Sequence, residues 1–365
     1  MKKLTIISFI CFLMSLNSCT SPTESETDNL ELLWKTYLKD RASAGIIGES
    51  NNIFFQTDTK LYKLDKTTLE LSSFSESGGT LFGLPAIDNN SIYIGSGGLV
   101  ESFDKETLSR KWYQAGFAWI PMVAVDEIRL YGTAENTTFA LDKETGSVIW
   151  QNNDIVGKSA FNCKVDGERL YFATGGIHRE DGYLYCLNKN TGEIIFQIIL
   201  PYMESRSQFG GSTTGVEIWG EYIFIPSDNR NIYCFNKTDG SLVWEFLADS
   251  PMETPPIVSE GILYTGSLNR TCYAIDASTG ELIWSFQTVG SIRRIVPKFF
   301  KNYVMFISGA ILIFDKYSGK LIADVSQRTG GDYGYFTALW DTEGKIYCTG
   351  YEESTQKWVF LIHKL

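Results

Sequence analysis

The chain contains one segment twice without a gap: NTTFALDKETGSVIW at residues 136–150 and RTCYAIDASTGELIW at residues 270–284. Each copy has an alternating apolar strand, an Asp at a marker position, a polar turn with Thr-Gly, and a second strand ending in Trp. This pattern predicts a β-hairpin. The marker carboxylate can accept hydrogen bonds from backbone N–H groups of the turn, and the Gly can adopt the positive φ that a bulged loop requires.

Related hairpins recur along the chain, at residues 182–196 and 230–244 and in weaker copies around the first, second and last markers. The marker residues are Asp65, Asp104, Asp142, Asn188, Asn236, Asp276 and Asp315, which are separated by 39, 38, 46, 48, 40 and 39 residues. Another strand precedes each hairpin, for example ILYTG at 262–266, and a shorter inner strand precedes that one. Units of about 40 residues with four antiparallel strands indicate the blades of a β-propeller.

The two ends of the chain supply two parts of one further unit. The C-terminal segments KIYCTG (345–350) and WVFLIHKL (358–365) form a half unit in which His363 is expected at the marker position. At the other end, LELLWKTYL (30–38) is a lone strand. We therefore predict an all-β ring of eight blades in which the N-terminal strand completes the last blade. Such closure pairs edges that an open ring would expose.

Aromatic residues end most repeats. They are Trp34, Trp112, Trp150, Phe196, Trp244 and Trp284, while Ser73 and Ala323 interrupt the series. A large ring buries about 150–250 Å², so we expect these side chains to fill the space between neighbouring blades. We do not interpret them as a ligand site.

The pattern AxDxxTGxxxW, present at residues 140–150 and 274–284, resembles the repeat named after the pyrroloquinoline-quinone (PQQ) dehydrogenases. The resemblance extends over nearly all of residues 30–365, which we predict to be a single PQQ-like propeller domain. Leu69 and Leu108 replace the turn Gly in the first two copies. The resemblance implies a superfamily that includes the BamB-like adaptors of outer-membrane protein assembly, which are non-catalytic, and the quinoprotein alcohol dehydrogenases.

The N-terminus has the layout of an export signal. Two lysines precede an apolar stretch of about 13 residues, shorter than the roughly 20 that a membrane-spanning helix needs. The tetrapeptide that ends at Cys19 resembles a lipobox, so residues 1–18 are predicted to be a lipoprotein signal peptide and Cys19 to carry lipid. An ordinary secretory signal with an incidental cysteine is the alternative.

Residues 19–29 are polar and acidic and are predicted to form a flexible tether. An acidic stretch directly behind the lipidated cysteine resembles the surface-export signal of Bacteroidetes lipoproteins. We therefore expect a lipid anchor in the outer membrane, with the domain on the periplasmic face or on the cell surface.

Charge and cysteine usage narrow the function classes. Removal of residues 1–18 takes away two lysines and no acids, which changes the net charge from −11 to −13, so nucleic acid is not an expected partner. Beyond Cys19 there are five cysteines without CxxC spacing: Cys163, Cys186, Cys234, Cys272 and Cys348. They predict neither a disulfide framework nor a metal site, and those standing where other repeats have Ala are expected to be buried thiols.

The sequence offers little for catalysis. The resemblance implies that a quinone dehydrogenase clamps its cofactor with adjacent cysteines and a tryptophan, and no Cys-Cys pair occurs. The two histidines, His178 and His363, give poor support to a histidine metal site or a Ser-His-Asp triad. We predict no cofactor, no metal and no catalytic residue, although chemistry with two carboxylates stays open.

Long loops between blades, and between second and third strands, are expected on one face of the ring. Binding residues are often on loops held by a rigid scaffold. We predict a partner-binding face with a basic and aromatic set of residues: His178, Arg179, Tyr202, Arg206, Arg293, Arg294, Arg328 and Tyr333. Arginines can hold a carboxylate, a sulfated glycan or an acidic loop. The alternative is that these are ordinary solvated loop residues.

Three functions are compatible with these residues. The first is a monomeric, membrane-anchored scaffold that binds a protein partner in the cell envelope, with outer-membrane protein assembly as one such role. The second is a surface lipoprotein that binds a glycan or a small ligand. The third is a PQQ-dependent dehydrogenase-like enzyme. The first is the expected function.

Overall fold

A computed structural model of the chain describes residues 30–74, 85–176, 179–204, 210–212, 214–292, 295–325 and 333–365; the side chains of residues 42–44, 159–161 and 333–336 are not part of that description. The predicted signal peptide (1–18), Cys19 and the predicted tether (19–29) lie outside the described residues. The described chain forms 32 strands in eight antiparallel sheets of four strands each.

The first strand, β1 (Glu31–Leu38), belongs to the last blade. Each of blades 1 to 7 runs from an inner strand through a second and a third strand to an outer strand. The strands of blades 1 to 3 are β2 (Ala42–Glu49), β3 (Asn52–Thr57), β4 (Leu61–Asp65), β5 (Leu71–Phe74); β6 (Ala86–Ile87), β7 (Ser91–Ser96), β8 (Leu99–Asp104), β9 (Arg110–Ala115); β10 (Val123–Val125), β11 (Arg129–Ala134), β12 (Thr137–Asp142) and β13 (Val148–Asn152).

Blades 4 to 8 repeat this arrangement. Their strands are β14 (Lys158–Asp166), β15 (Arg169–Gly175), β16 (Gly182–Asn188), β17 (Ile194–Leu200); β18 (Glu217–Trp219), β19 (Tyr222–Pro226), β20 (Asn231–Asn236), β21 (Leu242–Leu247); β22 (Ile257–Ser259), β23 (Ile262–Gly266), β24 (Thr271–Asp276), β25 (Leu282–Gln287); β26 (Lys298–Phe300), β27 (Tyr303–Ile307), β28 (Ile311–Asp315), β29 (Leu321–Asp324); β30 (Tyr333–Trp340), β31 (Lys345–Glu352) and β32 (Lys357–Lys364).

The last blade is closed by the N-terminal strand, as predicted. Strand β1 pairs antiparallel with β32, so that Trp34 lies opposite Ile362 and Leu38 lies opposite Trp358. An ion pair across the blade adds to the backbone ladder, with Lys35 Nζ 2.7 Å from Glu352 Oε1. The outer strand of blade 8 therefore comes from the opposite end of the chain from its three partners, which confirms the eight-bladed ring.

The apolar core of the described residues is divided into eight clusters, one between each pair of neighbouring blades. The cluster between blades 8 and 1 joins the two ends of the ring. In it, Phe360 and Ile362 pack against Ile46 and Phe55, and the rings of Phe55 and Phe360 stack with centroids 4.4 Å apart. Each blade thus buries both faces only because it has a neighbour on each side.

The register of blade 8 corrects the predicted role of His363. Lys345 pairs with Lys364 in the way that Arg129 pairs with the marker Asp142, so Lys364 and not His363 stands at the marker position. His363 instead corresponds to Leu141, one residue earlier, which points into a cluster between blades. This shift of one residue reverses the face of the strand and explains why His363 is buried.

The marker residues organise the turn that follows them. Asp142 Oδ1 accepts hydrogen bonds from the backbone N–H of Thr145 (2.8 Å) and of Glu144 (3.1 Å), and Gly146 follows with φ of 75°. Asp104, Asp276, Asp315 and Asn188 make the corresponding contacts. Because its carboxylate accepts hydrogen bonds from these backbone N–H groups, the pKa of Asp142 is lowered.

The tryptophans that end the outer strands contact the turn of the next blade. Each of four donates its indole N–H to a backbone carbonyl just after the next marker: Trp112 to Lys143 (3.0 Å), Trp150 to Lys189 (2.8 Å), Trp244 to Ala277 (3.1 Å) and Trp284 to Lys316 (2.9 Å). The same ring covers the turn Gly. A Cβ atom added at Gly146, Gly192, Gly280 or Gly319 would lie 2.5 to 2.7 Å from the indole.

The interruptions in this series are compensated by neighbouring residues. Phe196 has no N–H to donate, and the carbonyl of Lys237 accepts instead from Arg169 Nη1 and Tyr171 Oη, both at 2.9 Å. Blade 1 has Ser73 where others have Trp, and Leu108, which replaces the turn Gly of blade 2, is buried in the cluster between these two blades. The replacement fills the volume that an indole occupies elsewhere.

A second type of contact between blades was not predicted from the sequence. The lysine after a marker forms an ion pair with an acid at the end of the preceding blade's inner strand, as in Lys105–Glu49 (2.8 Å), Lys143–Asp88 (2.9 Å), Lys189–Asp126 (3.1 Å), Lys237–Asp166 (2.8 Å) and Lys316–Glu260 (2.7 Å). Burial of Asp88 opposes its ionisation, but the hydrogen bonds from Lys143 and from backbone N–H groups prevail and lower its pKa to about 2.

Two glycines with similar backbone geometry allow the tryptophan contact to be tested. Gly319 has φ of 69° and lies under Trp284, whereas Gly309 has φ of 77° and no atom within 4 Å of an added Cβ. Gly309→Ala is expected to cost only the left-handed strain, about 1–2 kcal/mol of unfolding free energy. Gly319→Ala adds displacement of the indole and is expected to cost at least about 1 kcal/mol more. Equal costs in urea unfolding would contradict the proposed role of the contact.

His363 is expected to make stability depend on pH. Burial lowers the pKa of its imidazole to about 4, while an unfolded chain has about 6.5. As the pH falls below 6.5 the unfolded state binds a proton that the folded state does not bind until about pH 4, so stability is lost across this window. The wild type should lose about 3 kcal/mol more than His363→Gln between pH 7 and pH 4. Parallel stability curves for the two proteins would show that the imidazole does not titrate in this way.

Candidate partner-binding face and central channel

Around blade 4, the loops at one end of the ring are joined by hydrogen bonds. The backbone N–H of Gly176 donates to Gly210 O (2.9 Å), that of Gly210 donates to Glu180 O (3.2 Å), and that of Tyr202 donates to Asp181 Oδ1 (2.6 Å). These bonds join the loop between β15 and β16 to the loop after β17. Glycine is needed where they meet, since a Cβ at Gly211 would lie 2.2 Å from Thr174 O.

For two of the eight predicted face residues, Arg179 and Tyr202, both the backbone and the side chain are described. Arg179 is exposed, with Nη2 3.8 Å from Glu204 Oε1, and Tyr202 is half-buried on the adjoining loop. An exposed pair at that distance contributes little to stability and leaves both groups accessible. Glu180 and Asp181 follow Arg179 directly in the chain, so this part of the face carries both signs of charge.

The other six predicted residues are described in part or not at all. Tyr333 begins β30, and its backbone pairs with Glu352. Its side chain, together with His178, Arg206, Arg293, Arg294 and Arg328, lies outside the described residues. Arg179 and Tyr202 therefore lie on two loops that are hydrogen-bonded to each other. The binding role of the whole set stays a prediction.

A polar network on the same face was missed from the sequence. Asp249, after the outer strand of blade 5, accepts hydrogen bonds from Ser267 Oγ (2.7 Å) and Thr271 Oγ1 (2.7 Å) in blade 6. Burial opposes ionisation of Asp249, but these hydrogen bonds outweigh it and lower its pKa. The signal was a repeated Ser-x-Asn-Arg motif at 227–230 and 267–270. The network fixes loops that would otherwise lose conformational freedom on binding.

The inner strands carry equivalent residues at one level of the ring. Each of these inner-strand residues pairs with the equivalent residue of the second strand in its own blade. The eight inner-strand residues are Ile47, Ala86, Ala124, Lys164, Glu217, Ile257, Lys298 and Leu339. We call them the axial ring. Five are apolar, and the charged three come from blades 4, 5 and 7. Lys164 Nζ lies 2.8 Å from Glu217 Oε2.

The cysteines do not fit a quinone clamp. All five described cysteines are buried and unpaired with one another, and each belongs to a different cluster between blades. Burial raises the pKa of the Cys163 thiol to about 12 and that of Cys186 to about 11. These thiols pack as small apolar groups. The clamp implied by the resemblance requires two adjacent cysteines, and no two of the described cysteines are adjacent.

The described residues contain neither a clustered set of metal ligands nor a membrane-spanning helix. No group of three or more His, Cys, Asp or Glu residues is arranged to hold a metal ion in that part of the chain. Within the same residues, no helix has the length and apolar character needed to cross a membrane.

Comparison with known proteins gives one family and several similar structures. Residues 180–334 match a family profile described as "Outer membrane protein assembly factor BamB". A sequence search of curated proteins returns no significant match. The structure is similar to that of BamB from Moraxella catarrhalis, with a TM-score of 0.68 and 13% identity over 92% of this chain and 100% of that chain.

Two other solved structures have the same architecture. The computationally designed Ika8 protein gives a TM-score of 0.69 and 14% identity over 89% of this chain and 97% of that chain. The quinohemoprotein alcohol dehydrogenase ADHIIG from Pseudomonas putida gives 0.69 and 12% identity over 92% of this chain and 76% of that chain. Identities of this size show the fold alone. The resemblance inferred from the repeats is confirmed: this chain is an eight-bladed β-propeller of PQQ-type repeats, and residues 180–334 carry the BamB family pattern.

Proposed function

We propose that the chain is a non-catalytic scaffold of the cell envelope that binds a protein partner through its loop face. The observation that carries this proposal is the match of residues 180–334 to a family described as an outer membrane protein assembly factor. The similarity to BamB from Moraxella catarrhalis over the whole length of that protein supports it. A fold does not fix a function, so the proposal depends on the loop face as well.

The loop face has the properties that a binding surface needs. Its loops are joined by backbone hydrogen bonds around Gly210 and by the carboxylate of Asp249, which limits the entropy lost when a partner binds. Arg179 and Tyr202 lie on these hydrogen-bonded loops. We propose that His178, Arg206, Arg293, Arg294, Arg328 and Tyr333 extend the surface, and that the arginines bind carboxylates of an acidic partner segment.

The proposed location follows from the N-terminus. Lipid on Cys19, after removal of residues 1–18, would hold the domain at the outer membrane by acyl chains alone, and residues 19–29 would act as the tether. Cys19→Ala should then release the protein into the soluble fraction, with Cys11→Ala as the matched control within the signal peptide.

A second candidate function is glycan binding. Trp119 lies in the loop between β9 and β10, on the same face, and is 38% exposed. An exposed indole offers an apolar ring that sugars can stack on. The alternative of a quinone-dependent enzyme rests on the similarity to a quinohemoprotein alcohol dehydrogenase. That similarity shows the fold alone.

Capture of partners by the tagged, membrane-anchored chain tests the proposal. The wild type is expected to retain subunits of outer-membrane barrel assembly. Arg293→Ala with Arg294→Ala should weaken that binding about tenfold or more, since the loss of about 1.4 kcal/mol corresponds to a factor of ten. The matched control is Lys301→Ala with Lys320→Ala, which removes two exposed cations from the opposite end of the ring.

The other outcomes separate the alternatives. Unchanged capture of every partner by the arginine variant would overturn the proposed role of these residues. Recovery of glycans or polysaccharide-utilisation proteins would favour the second candidate. Oxidation of alcohols in a dye-linked assay, after addition of quinone and Ca²⁺, would contradict a non-catalytic role.

A further inference from the structure

The outer strand of blade 4 is a long apolar edge without charge. Strand β17, with the sequence IIFQIIL, has seven residues, more than any other outer strand of blades 1 to 7 as the structure describes them. Several other outer strands carry charged residues, which hinder the addition of a further strand. These charged residues are Glu31 and Lys35 in β1, Arg110 and Lys111 in β9, Glu245 in β21 and Asp324 in β29. Strand β17 contains no charged residue, no proline and no glycine.

Contacts within the ring hold this edge in place. Strand β17 is the last strand of its sheet, so its outer edge pairs with no other described strand. After a bulge next to Ile194, residues 196–200 pair regularly with β16. The Ile198 side chain packs on the turn of blade 5, where a Cβ added at Gly240 would lie 2.5 Å from Ile198 Cδ1. Leu200 O accepts a hydrogen bond from the N–H of Gly211 (3.1 Å). The backbone groups of the edge are therefore presented in a fixed extended conformation that a further strand can pair with.

The side chains of β17 alternate between the ring and solvent. Phe196 and Ile198 pack against the cluster between blades 4 and 5. Ile195, Gln197 and Ile199 are exposed, with 46% of Ile195 and 57% of Ile199 accessible to solvent. The edge thus presents two isoleucines on either side of a glutamine, and the described part of the ring leaves them uncovered.

The order of residues in β17 is nearly the same in both directions from Gln197. If two copies of the strand pair antiparallel with Gln197 opposite Gln197 of the second copy, Ile195 lies opposite Ile199 and Phe196 lies opposite Ile198. Apolar pairs directly opposite each other stabilise a sheet, and the two central amides can hydrogen-bond to each other. The edge is therefore complementary to a second copy of itself.

The residues at the ends of the strand favour the same register. Pairing about Gln197 places Glu193, the charged residue just before β17, opposite Pro201 of the second copy, so no like charges meet. A register shifted by one residue would place Gln197 opposite Ile199 and Ile195 opposite Pro201, which has no N–H to donate. One register thus satisfies the side chains and the backbone together.

We propose that two copies of the chain associate through β17, as an antiparallel pair with two-fold symmetry about Gln197. The two fourth blades then form one continuous sheet of eight strands. A contact of one strand pair has the size of weak and transient interfaces, below about 1,200 Å², so monomer and dimer exchange. The sequence predicts a monomeric domain, and this edge is the feature that argues for a dimer. The contact lies on the outer wall of the ring and does not depend on the function proposed for the loop face.

Formation of a disulfide at position 197 tests the register. In the proposed pair the two Cα atoms at this position lie about 4.5–5.5 Å apart, which a disulfide can span. Gln197→Cys in the full-length chain is therefore expected to give a covalent dimer on mild oxidation. The described native cysteines are buried, and the wild type treated in the same way is the reference for all of them.

The matched control is Ser285→Cys, at the equivalent exposed position of β25 in blade 6. There the same register would place Ile283 opposite Gln287, so self-pairing is not favoured. A covalent dimer formed by Gln197→Cys and not by Ser285→Cys supports the proposed pair. Equal cross-linking of the two variants, or none in either, would overturn it.

Charged substitutions give an independent result by sedimentation equilibrium. Ile195→Lys with Ile199→Lys places ammonium groups opposite each other and is expected to weaken self-association about tenfold or more. Ile195→Lys with Ile199→Glu places each ammonium group opposite a carboxylate of the second copy and should restore most of the association. A general effect of charge on folding would not distinguish the two variants. Equal loss in both variants, or a wild type that stays monomeric at every concentration, would contradict the proposal.

A strand from a different protein is the alternative occupant of this edge. If Gln197→Cys forms a disulfide with another protein while the wild type does not self-associate, the edge serves that protein and the proposed dimer is wrong. Failure of the function proposed for the loop face is recognised separately. It leaves self-association intact, because Arg293 and Arg294 lie outside β17.

Discussion

Pairing of the two ends of the chain is the constraint on which the whole ring depends. A four-stranded blade has two apolar faces, and each face is buried only by another blade. Blade 8 is complete only when β1 adds to β32, and only then do Phe360 and Ile362 complete the cluster against Ile46 and Phe55 of blade 1. The loop face and the axial ring both exist because this last sheet closes the circle.

Most of the fold could be predicted because each blade repeats the same local rules. The marker Asp and turn Gly define the hairpin, the spacing near 40 residues defines the blade, and Trp34 without a hairpin partner reveals which blade the N-terminus completes. The predicted register of the last strand was wrong by one residue. His363 resembles a marker by its place near the end of the chain, but only the pairing of Lys345 with Lys364 sets the register. A shift of one residue changes which face of a strand is buried.

The site was less predictable because it depends on contacts between different repeats. A Lys after a marker is visible in the sequence, but its acidic partner lies in the preceding blade, as in Lys143 and Asp88. The same holds for Lys164 of blade 4, whose partner Glu217 lies in blade 5. Composition drew attention to arginines in long loops, whereas the structure adds Asp249, which holds such loops in place. Contacts between residues of different blades do not follow from the sequence pattern of a single repeat.

Amide hydrogen exchange of the full-length protein tests the closure of the ring most directly. We expect peptides covering residues 30–38 to exchange as slowly as those covering residues 357–364, because both strands open only when the whole ring unfolds. Rapid exchange of residues 30–38, with residues 345–352 and 357–364 still protected, would show that the N-terminal strand does not complete blade 8 and would contradict closure of the ring by the two ends of the chain.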